Sequence, residues 1–129
     1  MVQRAPRKLT DSEKKKLKDF IPSTDLDSAV LIIGSMPWWL PAKRMRVIAI
    51  TLKSGIYMQS YDENKIDDIS TLGHELVHVG QYRLGLTYAA YVWSCRKGYD
   101  KSPFEQEAYA MGTKIQTELL KTMQYGFQG

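Results

Sequence analysis

The chain holds two histidines, and both fall in one five-residue run, His74-Glu75-Leu76-Val77-His78. Around that run Ile69, Leu72, Leu76, Val79 and Tyr82 recur every three or four residues, a spacing that predicts a helix with one face against a core. Asp67 or Asp68 is its expected cap and Gly85 its expected stop. Residues four apart on a helix share a face one turn from each other, so both imidazoles can reach one metal ion. Glu75 stands beside the first histidine, where its carboxylate can take a proton from metal-bound water without being a ligand. With six glutamates in the chain, random placement would produce this pattern about 7 times in 10,000. The plain alternative is two histidines hydrogen-bonded on a packed helix. Neutral imidazoles beside a non-ligating carboxylate suit zinc better.

The remaining segments supply what such a helix would pack against. Thr10 and Glu13 have capping-box spacing, and Leu17, Phe20 and Ile21 follow on one face, predicting a helix over 11–21 that Pro22 ends. Val47, Ile48, Ile50, Leu52, Ile56, Tyr57 and Met58 are strand formers interrupted by Lys53-Ser54-Gly55, the pattern of a β-hairpin. Its second strand, Ile56 to Ser60, leads through a polar loop into the histidine helix. An aromatic-rich helix is expected from Leu86 to Arg96, ending near Gly98. A last helix should begin at Ser102-Pro103 and bury Phe104, Ala108, Met111, Ile115 and Leu119. The fold class is therefore α+β, helix-dominated, with a short hairpin or sheet before the central helix. A length of 129 residues fits one domain, expected over 10–129 with residues 1–9 as a flexible basic arm.

Composition removes several classes. No apolar run approaches the roughly 20 residues of a bilayer span, which argues against integral membrane association. The single cysteine, Cys95, excludes an intramolecular disulfide framework and reads as a small apolar residue of its helix. No standard secretory signal follows the basic first residues, so the expected location is cytoplasmic, or exported without such a signal. The +4 charge is concentrated in the first sixteen residues, where a solvated face explains it. No nucleic-acid-binding motif accompanies it.

The five-residue motif resembles that of the zincin metallopeptidases, HExxH, with the resemblance extending over about residues 46–112. It implies a small zincin-like domain in which His74 and His78 bind Zn2+ and Glu75 is the catalytic base. It also implies that the strand before the active-site helix, here Ile56, Tyr57, Met58, Gln59 and Ser60, is the edge on which an extended peptide or protein substrate lies. The metzincin branch is excluded, because Gln81 and Leu84 stand where it has glycine and a third histidine. In the gluzincin branch a glutamate from a following helix completes the ligand set. Phe104-Glu105-Gln106-Glu107-Ala108-Tyr109 resembles its Glu-x-x-x-Asp element, with Glu105 as ligand and Tyr109 in place of the aspartate. A similar Glu-x-Glu-Ala element follows HExxH in compact intracellular metallopeptidases that cut regulatory proteins, and small bacterial zincin domains delivered as toxins or effectors are the other branch.

Glu107 stays open as an alternative metal ligand. Ser102 and Glu105 also fit a capping box that would bend Glu105 back to the helix start, and both glutamates lie about 80° to either side of the apolar stripe. Small neighbours Ala108 and Gly112 favour close approach on the Glu105 side. Gln81 is placed for a hydrogen bond to a ligand, and Tyr88, Tyr91 and Tyr109 are candidates for stabilising an oxyanion, with aromatic packing as their plain alternative. Gly73 and Gly80 inside a helix point to close packing, and Trp38-Trp39 to a loop capping the core. The expected function is zinc-dependent peptide-bond hydrolysis; the alternative is a zincin-shaped scaffold or interaction module that binds zinc and cleaves nothing.

Overall fold

The computed structural model describes residues 5–37 and 48–126. Trp38, Trp39 and Val47 lie outside the described residues. Among those described, four strands and five α-helices follow one another as β1 (Arg7–Lys8), α1 (Asp11–Leu17), α2 (Ser23–Ser28), β2 (Val30–Ile33), β3 (Ala49–Leu52), β4 (Gly55–Met58), α3 (Ile66–Arg83), α4 (Tyr88–Ser94) and α5 (Pro103–Gly126), with one 3-10 turn at Tyr99–Lys101 before α5. The α+β class follows directly. No helix among these residues is long and apolar enough to cross a membrane.

The sheet runs β1-β2-β4-β3. β1 is antiparallel to β2, β2 is parallel to β4, and β4 closes the hairpin with β3. The turn of that hairpin is Lys53-Ser54, with Lys53 at φ 58°, a left-handed conformation that turns the chain tightly. β2 is a continuous apolar run, Val-Leu-Ile-Ile, without the alternation that marks a half-exposed strand, so it is legible only once its partners are known. Ile56 and Met58 of β4 are buried, as befits a strand hydrogen-bonded on both sides. The expected placement of Ile56 to Ser60 at a sheet edge is therefore corrected: among the described residues β4 is internal and β3 is the edge strand.

Two further expectations change. Residues 7–9 are not part of a free arm, because Arg7 and Lys8 pair with Leu31 and Val30 and Leu9 is buried in the core. The reason is Glu13. The Thr10–Glu13 capping box forms, and the same Glu13 carboxylate accepts two hydrogen bonds from the Arg7 guanidinium, at 2.9 and 3.0 Å, and one from the Tyr61 hydroxyl at 2.6 Å. α1 also ends at Leu17, and a separate α2 follows Pro22, which fixes the extended approach to its first turn.

α3 is the central element. It begins at Ile66 after Lys65, not at a capping Asp67 or Asp68; these acids occupy its first turn, where they complement the helix dipole. It ends as expected: Gly85 takes φ 115°, and the amides of Gly85 and Leu86 bond the carbonyls of Tyr82 and Gln81, a Schellman closure. Ile69, Leu72, Leu76 and Val79 join Leu17, Leu26, Leu31, Ile33, Ile56, Met58 and Ile115 in one core. The two helix glycines mark close approaches. A Cβ on Gly73 would stand 2.2 Å from Ile115 Cδ1 of α5, and one on Gly80 would stand 2.9 Å from Asp25 Oδ2. Asp25 is buried and bonds Arg83 through Nε at 2.7 Å and Nη2 at 3.1 Å.

Gly73→Ala and Ile115→Val should each lower stability in denaturant melts, while the double variant moves one methyl across the contact and recovers, a coupling of about 1–2 kcal/mol. Additive effects would mean that the two side chains do not contend for the same space. Burial works against ionisation of Glu13, but its bonds to Arg7, Tyr61 and the Thr10 amide prevail and hold its carboxyl at about 2. A folded-state value below the unfolded one stabilises above the unfolded value and loses that stabilisation as pH falls through the folded value. Glu13→Gln should therefore cost about 2 kcal/mol at neutral pH, with the gap to the parent narrowing between about pH 4.5 and pH 2.

Candidate metal centre

His74, Glu75 and His78 lie on the side of α3 away from its apolar stripe, and all three are buried. The two histidines face α5, which crosses α3 closely enough for Gly112 to meet the Ser70 carbonyl oxygen and His74 Cβ, 3.4 and 3.5 Å from where its own Cβ would be. That approach brings Glu105 under the imidazoles. Its Oε1 lies 3.0 Å from His74 Nε2 and 3.1 Å from His78 Nε2, and Glu105 is 1% exposed. His74, His78 and Glu105 form a buried group that can hold a metal ion, one donor atom from each lying within 4.8 Å of the others.

The capping role open to Glu105 is not taken. Ser102, at the start of α5, instead shares a hydrogen bond of 2.6 Å with Ser94 of α4. Glu107, the alternative ligand, is exposed and accepts a hydrogen bond from Gln81 Nε2 at 2.8 Å. The same Nε2 donates to the Phe104 carbonyl at 3.0 Å. With two acceptors on its nitrogen, the Gln81 amide must turn its oxygen to His78, whose Nδ1 lies 2.8 Å away. His78 therefore carries a proton on Nδ1; protonated on Nε2 as well, it donates to Glu105, and loss of the Nε2 proton frees the lone pair with which an imidazole binds a metal. Glu107 thus acts at one remove, through Gln81.

The tyrosines divide by position. The Tyr91 hydroxyl donates to Glu105 Oε2, leaving Oε1 to the imidazoles. Tyr88 stacks on Tyr91 at 6.4 Å, and the Tyr109 ring meets His74 edge-on at 4.5 Å. Tyr99, not singled out in the sequence, enters the same group next to Tyr109 and interacts with Glu105. Burial disfavours ionised Glu105, yet hydrogen bonds from His74, His78 and Tyr91 outweigh it and keep the carboxyl well below the usual range. Burial likewise opposes the charged form of His78, but the Glu105 hydrogen bond and the charges of Glu75 and Glu105 lift its pKa overall.

Glu75 stands beside His74, His78 and Glu105 without joining their group. Its Oε2 is 3.7 Å from His74 Nε2, and its Oε1 accepts a 2.8 Å hydrogen bond from the Thr51 hydroxyl of β3. Burial raises its pKa, with the two histidines and Thr51 acting in the opposite direction. Thr51 carries no motif in the sequence; only the sheet's approach to α3 reveals it. Ile48, Ala49, Ile50 and Thr51 border a cleft of about 810 Å³ whose floor includes His74, Glu75, His78 and Glu105. β4 does not border it. Cys95, half-buried, lies on its wall rather than in the core.

Residues 41–86 match the family model described as the eCIS core domain. The match takes in β3, β4 and α3 with the whole five-residue motif, and it stops short of Glu105. No curated protein and no solved structure matches the chain.

Glu105→Ala should weaken zinc binding, measured by competition with a chromogenic chelator, far more than Glu107→Ala. Gln81→Leu should fall between them, losing about 10–100-fold through the freed His78 ring. Equal losses at 105 and 107 would contradict the assignment.

Proposed function

We propose that the chain is a zinc-dependent metallopeptidase of gluzincin-like type. The observation that carries this reading is the meeting of His74 Nε2, His78 Nε2 and Glu105 Oε1 on the floor of a cleft, with Glu75 turned toward them and not among them. The donor set fits zinc. Two imidazoles and one carboxylate are the ligands of a catalytic rather than a closed structural site; tetrahedral arms of 2.0–2.1 Å set donors about 3.3 Å apart, close to the two histidine–Glu105 spacings of 3.0 and 3.1 Å, with all three donors within 4.8 Å of one another. Zinc, when bound, would supply Lewis acidity toward water and a peptide carbonyl.

The chain's own groups then have defined work. Glu75 takes the proton of the attacking water on Oε2 and passes it to the leaving amine, while Thr51 holds Oε1 and so fixes which oxygen faces the reaction. Gln81 and Tyr91 orient His78 and Glu105. Tyr91, spent on Glu105, supports a ligand; Tyr109, on the cleft wall against His74, keeps the place of an oxyanion donor. An extended peptide adds to the outer edge of β3, through main-chain hydrogen bonds. The eCIS core match spans that strand and the motif helix together.

The test joins metal analysis with hydrolysis of a mixed peptide library. The parent should hold one zinc and cleave peptides, and Glu75→Gln should keep zinc and lose about 100-fold or more in kcat. Thr51→Val should keep zinc and lose about tenfold, with Thr51→Ser restoring activity. Zinc without any cleavage would favour a scaffold that binds metal and cuts nothing. Failure to take up zinc would end the proposal.

A further inference from the structure

Beside the metal cleft lies a second hollow of about 680 Å³, lined by Leu52, Val79, Tyr82, Leu86 and Tyr88 and by Thr24 of α2. Two features join it to the cleft. Tyr82 and Tyr88 border both spaces. The same strand edge also serves both: residues 48–51 border the cleft and residues 52–54 the hollow. Thr51 holds Glu75, so on the peptidase reading it marks the register of the scissile bond. Leu52 to Ser54 lie one to three positions farther, about 3–10 Å along an extended chain.

The lining chemistry selects what can enter. Leu52, Val79 and Leu86 with the rings of Tyr82 and Tyr88 offer an apolar surface. The charged groups of the lining are Lys53 and Arg83, and the Arg83 guanidinium is engaged by Asp25. No carboxylate lines the hollow among the described residues. We infer that this hollow is a specificity subsite, and that the substrate class is extended peptides carrying a large apolar side chain two or three residues from the scissile bond. The inference rests on the peptidase reading. It adds a recognition element outside the metal site, supplied by the α2 flank and the loop joining α3 to α4.

The experiment uses the full zinc-loaded chain and a series of internally quenched decapeptides with one cleavable centre. A single phenylalanine, glutamate or serine is walked through each position on both sides. Phenylalanine two or three residues from the bond, on one side, should raise kcat/KM at least tenfold over serine, since burying such a ring is worth that much. Two variants, one on β3 and one on α2, are read as ratios within one protein, which do not depend on the folded fraction. Leu52→Arg should move the preference at that position from phenylalanine toward glutamate, and Thr24→Trp should move it toward small residues. Cleavage with no dependence on that position, or ratios unchanged in both variants, would overturn the subsite while leaving the peptidase reading intact. Absence of cleavage throughout the series would overturn both.

Discussion

One oxygen of Glu105 shared by two imidazoles sets the terms for the structure around it. A carboxylate that is 1% exposed is costly to hold in charged form unless donors surround it. His74, His78 and Tyr91 are those donors. Bringing them together requires α3 and α5 to cross at close range, which explains why Gly73 lies beneath Ile115 and Gly112 against Ser70 and His74. It also requires α4 to fold back over the crossing, so that Tyr91 reaches Glu105 and Ser94 reaches Ser102.

Four carboxylates are buried among the described residues, and their partners separate structural from chemical use. Glu13 and Asp25 are each held by an arginine, Arg7 and Arg83. A guanidinium is permanently charged and rigid, so these pairs tie β1 to α1 and α2 to the end of α3 without any further ligand. Glu75 and Glu105 are held by imidazoles and hydroxyls instead. Such partners can release or share a proton, and a metal ion can take the imidazole lone pairs. The fold is clamped by one kind of acid pair and the cleft is left with the other.

The helices were largely legible in the residues themselves. The α3 periodicity, the Thr10–Glu13 capping box and the Gly85 stop each depend on neighbours within a few positions, and each formed. The strands beyond the hairpin were not. β2 is an unbroken apolar run whose partner is 25 positions away, at Val30 and Gly55, and two-residue β1 exists through its pairing with β2 and the Arg7–Glu13 bond. Placing β4 at the edge failed for the same reason: order along the chain does not give order across a sheet. In the site, His74, Glu75 and His78 were readable from spacing. Thr51 and Tyr99 were not, having neither motif nor periodicity to mark them.

The sequence by itself determined that two imidazoles and a carboxylate would share one turn of helix, because 3.6 residues per turn is a local property of the backbone. It also offered Glu105 and Glu107 as acids that could join the two imidazoles. Deciding between them needed the tertiary structure. The two residues are close in the chain, but the crossing of α3 and α5 turns one into the buried space beneath the imidazoles and leaves the other at the surface, bonded to Gln81. Which strand faces the cleft was settled in the same way, by hydrogen bonding between distant segments, for which local sequence carries no term.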